Sequence, residues 1–342
     1  MRTGLLLGLL LPLLIWGGCS PTDQAPKYPC FWGVALDDYP LAETRLKRVE
    51  QELGFRPQMV LFYLQWPEPG GSGEFPRESL EAIWQTGAAP CLTWEPMFVR
   101  DKIEVAIAYE QILGGRYDAY LTAFATQAAA WNRPFIIRFA HEMNLSRYHW
   151  GTDKSGYGPQ SPEIYQRLFR YVVELFRQAG AHQVLWAFCP NAESLPNPTH
   201  DPAAAWNRAQ NYYPGAQYVD ILGMDGYNWG TTQTRGKHGW QSHWQSFQEI
   251  FAPLYQELQS LSPGKPLVIF ETASAKQGGD KTAWIKEALP VLRAWGVQGI
   301  IWFQVNKEVD WRLNVGGERP YLPTIPKPAS HAQEWLNGLT RK

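Results

Sequence analysis

The sequence has few cysteines, almost no net charge and no long apolar run beyond its first residues, and each shortage excludes something. Four cysteines stand in 342 residues, none in a CxxC pair, which argues against a zinc cluster. With Cys19 set aside for an N-terminal role, Cys30, Cys91 and Cys189 remain, an odd number that names no disulfide partners. Cys91 and Cys189 lie in or at the end of apolar runs and read as small buried hydrophobes. Lys plus Arg is 31 and Asp plus Glu is 32, a formal charge of -1, so the chain lacks the electrostatic footprint of a nucleic-acid binder. After the N-terminal segment no stretch reaches the roughly 18 apolar residues that span a bilayer. The pair His141-Glu142 lacks the second histidine of a zinc protease, because Leu145 stands in its place. No GxSxG elbow and no GxxxxGK[ST] phosphate loop occur. His238 and His243, five apart on an expected helix, face different ways, so no metal site is expected of them; separately, no cofactor is expected.

What the chain does have is rings. It carries 17 Trp, 16 Tyr and 15 Phe, or 14% aromatic residues, within a composition that is 45% hydrophobic and 18% charged. That composition builds a core and excludes wholesale disorder. Flat amphipathic rings in this quantity suit a heavily packed interior, or a surface that stacks on another flat partner such as a sugar ring.

The first residues read as an address. Arg2, an apolar run through Trp16, then Gly17, Gly18 and Cys19 resemble a bacterial lipoprotein signal. The expected organisation is a signal over residues 1–18, lipid on Cys19, a Pro- and polar-rich tether over 19–29 and one domain over 30–342. Export follows, as a secreted or cell-envelope protein, with membrane contact only through that lipid, and a monomer is expected.

Apolar runs recur at residues 31–36, 59–64, 90–94, 135–140, 184–188, 219–224, 267–270 and 300–305. Most are continuously apolar, the pattern of strands buried on both faces. Amphipathic stretches lie between them at 41–53, 117–131, 162–179, 240–261 and 280–295, with fainter helical signals at 76–85 and 201–211. Eight strands alternating with helices predict a single-domain α/β fold, the (β/α)8 barrel. An open doubly wound sheet is the alternative, but no Gly-rich loop follows the first strand.

In such a barrel the chemistry stands at the carboxyl ends of the strands. Those ends carry Asp37 and Asp38; Gln65 and Trp66; Trp94 and Glu95; His141, Glu142 and Asn144; Asn191 and Glu193; Asp225, Tyr227, Asn228 and Trp229; Glu271; and Trp302, Gln304 and Asn306. Glu142 and Glu271 each follow a strongly apolar run, where a carboxylate is costly unless hydrogen-bonded or used. A structural partner such as Arg138 explains either one alone. On strands four and seven, however, they can meet across the barrel mouth, and paired carboxylates there are the apparatus of glycoside hydrolysis.

At these residues the chain resembles glycoside hydrolase family 26. The segments are RFAHEMN (138–144), YYPGAQYVDILGMDGYNWG (212–230), VIFETAS (268–274) and GIIWFQVNKEVDWRLN (299–314). The resemblance implies a retaining, endo-acting hydrolase of a β-linked polysaccharide, β-glucan or β-mannan, with Glu142 as acid/base and Glu271 as nucleophile. It further implies Tyr227 orienting the nucleophile, His141 contacting the sugar and Trp302 stacking beneath it; beyond the resemblance, Arg138 is a candidate support for the nucleophile, and Tyr227, Asn144, Trp150, Trp94, Trp229 and Asp225 are candidate sugar contacts. Two segments depart from the family's mannanases, the loop from Leu145 to Trp150 and the Trp94-Glu95-Pro96 corner where those enzymes present a histidine. The second departure favours β-glucan over mannan. A catalytically silent carbohydrate-binding barrel is the rival; it keeps the aromatics and needs neither glutamate.

Overall fold

A computed structural model of the chain describes residues 30–151, 156–313 and 330–340. The expected signal, Cys19 and the tether lie outside the described residues. Eight parallel strands close into a barrel: β1 Phe31–Leu36, β2 Met59–Gln65, β3 Ala89–Glu95, β4 Phe135–Phe139, β5 Val184–Phe188, β6 Ile221–Asn228, β7 Leu267–Ser274 and β8 Gly299–Phe303. Each pairs with the strands before and after it in sequence, and β8 closes on β1. β1, β3, β4 and β5 are buried at every position, which is why their sequences run apolar instead of alternating.

The outer layer comprises α1 Glu43–Leu53, α2 Arg77–Gln85, α3 Asp118–Trp131, α4 Ser161–Gln178, α5 Phe247–Leu261, α6 Lys281–Ala294 and α7 Ser330–Leu339. Three expectations change. The helix expected from residue 240 starts at Phe247, because Ser246 and Glu249 form a capping box that satisfies the free amides there. The faint signal at 201–211 resolves into two 3-10 segments, Pro202–Asn207 and Ala209–Tyr212, interrupted by extended backbone at Arg208. A hairpin, Met97–Arg100 paired antiparallel with Ile103–Ala106, rises after β3 where no strand is expected; Asp101 and Lys102 both have positive φ at its turn, as tight hairpin turns require.

Packing inside the barrel depends on small residues. Met59 fills the N-terminal end because Gly33 and Gly299 lack side chains: a Cβ on Gly33 would stand 2.6 Å from the Met59 carbonyl, and one on Gly299 2.6 Å from its sulfur. Between barrel and helices, Trp94 packs among Trp66, Tyr120, Phe124, Phe139 and Phe176. Most of the aromatic excess therefore goes into this shell, at about 1.5–3 kcal/mol for each large side chain fully withdrawn from water. The three thiols Cys30, Cys91 and Cys189 are free.

Candidate active site

The site is assembled from strand register. Tyr63 on β2 pairs with Thr93 on β3, and Thr93 with Arg138 on β4, so the three side chains share one layer of the barrel. Arg138 is wholly buried and its guanidinium donates to Thr93 Oγ1 at 2.9 and 2.7 Å. It also donates to Asp225 on β6 and to Glu271 on β7, joining opposite walls through the barrel centre. Those two carboxylates are register partners. The planar fork of arginine suits several oxygen acceptors at once, and the two anions hold Arg138 charged despite its burial.

Glu271 owes its placement to a bulge. Met224 pairs with Ile269 while the next residue, Asp225, pairs with Glu271, so β7 carries one extra residue. The same offset occurs against β8, between the Ile300–Ile269 and Trp302–Thr272 pairs. A bulge re-aims the side chains around it. Here Glu271 faces the barrel axis and accepts hydrogen bonds from Tyr63 at 2.7 Å, from Tyr227 and from Arg138. Burial and the nearby Glu271 charge push both tyrosine hydroxyls well above their ordinary range, so they remain protonated donors.

Glu142 reaches the mouth through strained backbone. β4 ends at Phe139, and Ala140 (φ 45°) and Glu142 (φ 50°) both occupy the left-handed region. That conformation costs about 1–2 kcal/mol per non-glycine residue. The turn is pinned by the Glu142 amide donating to the Cys189 carbonyl at 2.8 Å and the Ala140 amide to the Trp94 carbonyl at 3.1 Å. Strain held this firmly is common at functional sites. The Glu142 carboxyl accepts the Asn191 side-chain amide at 2.6 Å. Burial, then the charge of Glu271, push its pKa up to about 7, against the opposing effects of Asn191, Arg138 and Tyr148. Thus one glutamate is surrounded by donors, while the other sits largely desolvated at the edge of neutrality.

His141 is fully buried, and burial followed by the Arg138 charge holds it neutral. Its Nε2 lies 3.0 Å from the Tyr148 hydroxyl, and its Nδ1 has no hydrogen-bond partner among the described residues. His141, Asp225 and Glu271 bring potential metal-ligand atoms within 4.8 Å of one another, but the Arg138 guanidinium already occupies both carboxylates and supplies the positive charge.

Five expected sugar contacts are placed elsewhere. Trp94 is sealed in the shell behind β3, with its indole N–H on the Tyr120 hydroxyl at 3.1 Å. Trp302 turns outward to α6, against Trp284 and Lys281, and donates to the Trp311 carbonyl at 2.8 Å. Phe303 and Trp311 instead back the Tyr227 ring. Trp150 is buried, stacks behind Tyr148 at 4.7 Å and donates to the His141 carbonyl. Asn144 is buried and bonds the Asn191 backbone in both directions, so it braces the residue that holds Glu142. Asp225 is fully buried and taken up by Arg138, with the Cys189 thiol on its other oxygen. Tyr227 and Trp229 remain partly exposed at the mouth, where Trp229 meets Trp311 and Trp240 edge-on.

Tyr63, Asn191 and Tyr148 are site residues to which sequence reasoning gave no role. Asn191 stands at a strand end and was in view; Tyr63 lies one side-chain repeat before Gln65 on β2, and that period-two relation was its only signal.

A family model described as glycosyl hydrolase family 26 matches residues 84–240. Endoglucanase H of Acetivibrio thermocellus is 34% identical over 283 residues, covering 81% of this chain and 28% of that protein. The chain belongs to glycosyl hydrolase family 26. A mannan endo-1,4-beta-mannosidase of Bacillus subtilis is 28% identical over 171 residues, 44% of this family 26 chain and 43% of that protein. The chain thus spans well under half the length of either curated relative. Among solved structures, the Bacillus subtilis mannanase BCman superposes with a TM-score of 0.58 at 20% identity, covering 89% of this chain and 84% of that one. The Bacteroides ovatus family 26 β-mannanase BoMan26A gives 0.55 at 19% identity, covering 92% and 89%. These likenesses show the barrel fold.

Proposed function

We propose that this chain is a retaining, endo-acting hydrolase of β-linked glucan, with Glu142 as acid/base and Glu271 as nucleophile. The observation that carries the reading is the contrast between the two carboxyls: Glu271 accepts three donors, whereas burial brings Glu142 to about 7. A carboxyl lifted by burial beside one held by an arginine and two tyrosine hydroxyls suits the roles of acid and nucleophile.

In the first displacement Glu271 attacks the anomeric carbon while Glu142 gives its proton to the departing glycosidic oxygen. A covalent glycosyl-enzyme forms and the aglycone leaves. In the second, Glu142, now a carboxylate, takes a proton from water as that water attacks the same carbon and releases Glu271. Two inversions return the original configuration. Tyr63, Tyr227 and Arg138 hold Glu271 in one orientation and disperse its charge. Endoglucanase H, aligned along most of this chain, supports glucan over mannan, as does the Glu95 corner after β3. A silent sugar-binding barrel would have no use for a strained, desolvated acid opposite a charge-supported carboxylate.

The N-terminal sequence supports attachment at the cell envelope by lipid on Cys19. No helix among the described residues is long and apolar enough to cross a membrane. The deciding experiment incubates the protein with mixed-linkage glucan, cellulose, xyloglucan, mannan and xylan, and follows the first-formed sugar by NMR. Release from a β-glucan with retained configuration is expected; an inverted first product overturns the mechanism.

A further inference from the structure

Glu95 ends β3 at the barrel mouth, and the double displacement gives it nothing to do. It is 5% exposed, and its Oε2 accepts the side-chain amide of Gln65 from the neighbouring strand. Among the described residues no donor reaches Oε1, and Oε1 is not sealed from solvent. The carboxyl lies within electrostatic reach of Arg138 and Glu271, and its charge is felt by Tyr148 and Arg147 in the loop that carries Glu142. It lies one side-chain repeat beyond Thr93, whose hydroxyl meets Arg138 inside the barrel, so Glu95 shares that inward face at the strand ends where Glu142 and Glu271 are proposed to act.

A desolvated carboxylate with one free acceptor is unfavourable until a donor arrives. Arg138, the cation buried among these acids, is already committed to Asp225 and Glu271. What fits beside Glu95 is therefore neutral and donates hydrogen bonds, as a sugar hydroxyl does. A uronic acid would bring a further negative charge next to Glu271 and an ionised Glu95 and be repelled. Burial lifts Glu95 to about 7, in keeping with a site that waits for such a donor.

We propose that Glu95 Oε1 accepts a hydroxyl of the sugar lying against Glu142 and Glu271, and that this contact, held in place by Gln65, selects neutral hydroxylated sugars over uronates. The proposal rests on the hydrolase reading and deepens it. Its test uses the full chain, a neutral β-glucan oligosaccharide and that oligosaccharide's monodeoxy analogues. Glu95→Ala should lower kcat/KM on the parent by about 10- to 100-fold, the range for a hydrogen bond to a charged group. One deoxy analogue should lower the wild type to the same degree and the variant no further, a non-additivity that merely structural damage would not produce. Should Glu95→Ala fail to fold, Glu95→Gln is read in its place, with partial retention expected because the amide oxygen still accepts. Losses that add for every analogue, or a folded variant within about two-fold of wild type, overturn the proposal and leave the hydrolase reading standing. If the wild type cleaves no β-glycan, the hydrolase reading falls instead, and calorimetric binding of the same oligosaccharides still decides Glu95: equal affinity for wild type and Glu95→Ala overturns it, weaker binding by the variant supports it.

Discussion

Asn191 donates its side-chain amide to Glu142 Oε1 at 2.6 Å, reaching from the loop after β5 to the glutamate that follows β4. This bond favours the ionised carboxylate and opposes the burial that lifts Glu142 to about 7.

In the proposed mechanism Glu142 is protonated when the leaving group departs, so activity on the polymer should decline as pH rises through about 7. Asn191→Ala removes a donor that stabilises the anion. Its basic limb should therefore move to higher pH, together with a lower kcat from the loosened side chain. The pH profile of kcat/KM checks this, and a limb displaced downward would show that Asn191 does not act on the acid.

Tyr63 and Tyr227 approach Glu271 from different strands, one on each carboxylate oxygen. Tyr63→Phe and Tyr227→Phe should each reduce kcat by about 10- to 100-fold, the effect of losing one hydrogen bond to a charged group. Circular dichroism and thermal melting of both variants should stay close to wild type, because each substitution removes a single oxygen. If both retain full kcat on the polymer, Glu271 is not the group under tension in the reaction.

Arg138 is the cation between two buried carboxylates. Arg138→Leu leaves Asp225 and Glu271 uncompensated and should destabilise the fold by about 3–5 kcal/mol, measured by chemical denaturation. Arg138→Lys should restore little, since one ammonium cannot replace the fork that meets Thr93, Asp225 and Glu271 together. A lysine variant as stable and active as wild type would mean that charge alone suffices there.

Sequence by itself determined the barrel and the strands that carry the two glutamates. Continuously apolar runs alternating with amphipathic stretches leave few ways to bury the former except a parallel sheet wrapped by helices. The ends of those runs then named Glu142 and Glu271, because a carboxylate directly after such a run needs a reason. Tertiary structure alone decided which neighbours do the work. Burial and aim depend on which face a strand presents, and the extra residue in β7, the left-handed turn after β4 and the outward roll of Trp302 each change that face without altering the local pattern of residue types. Trp94 and Trp302 therefore read as sugar contacts in one dimension and are packed away from the mouth in three, while Tyr63 meets Glu271 across the closed ring and Asn191 and Glu95 acquire partners at the ends of adjoining strands.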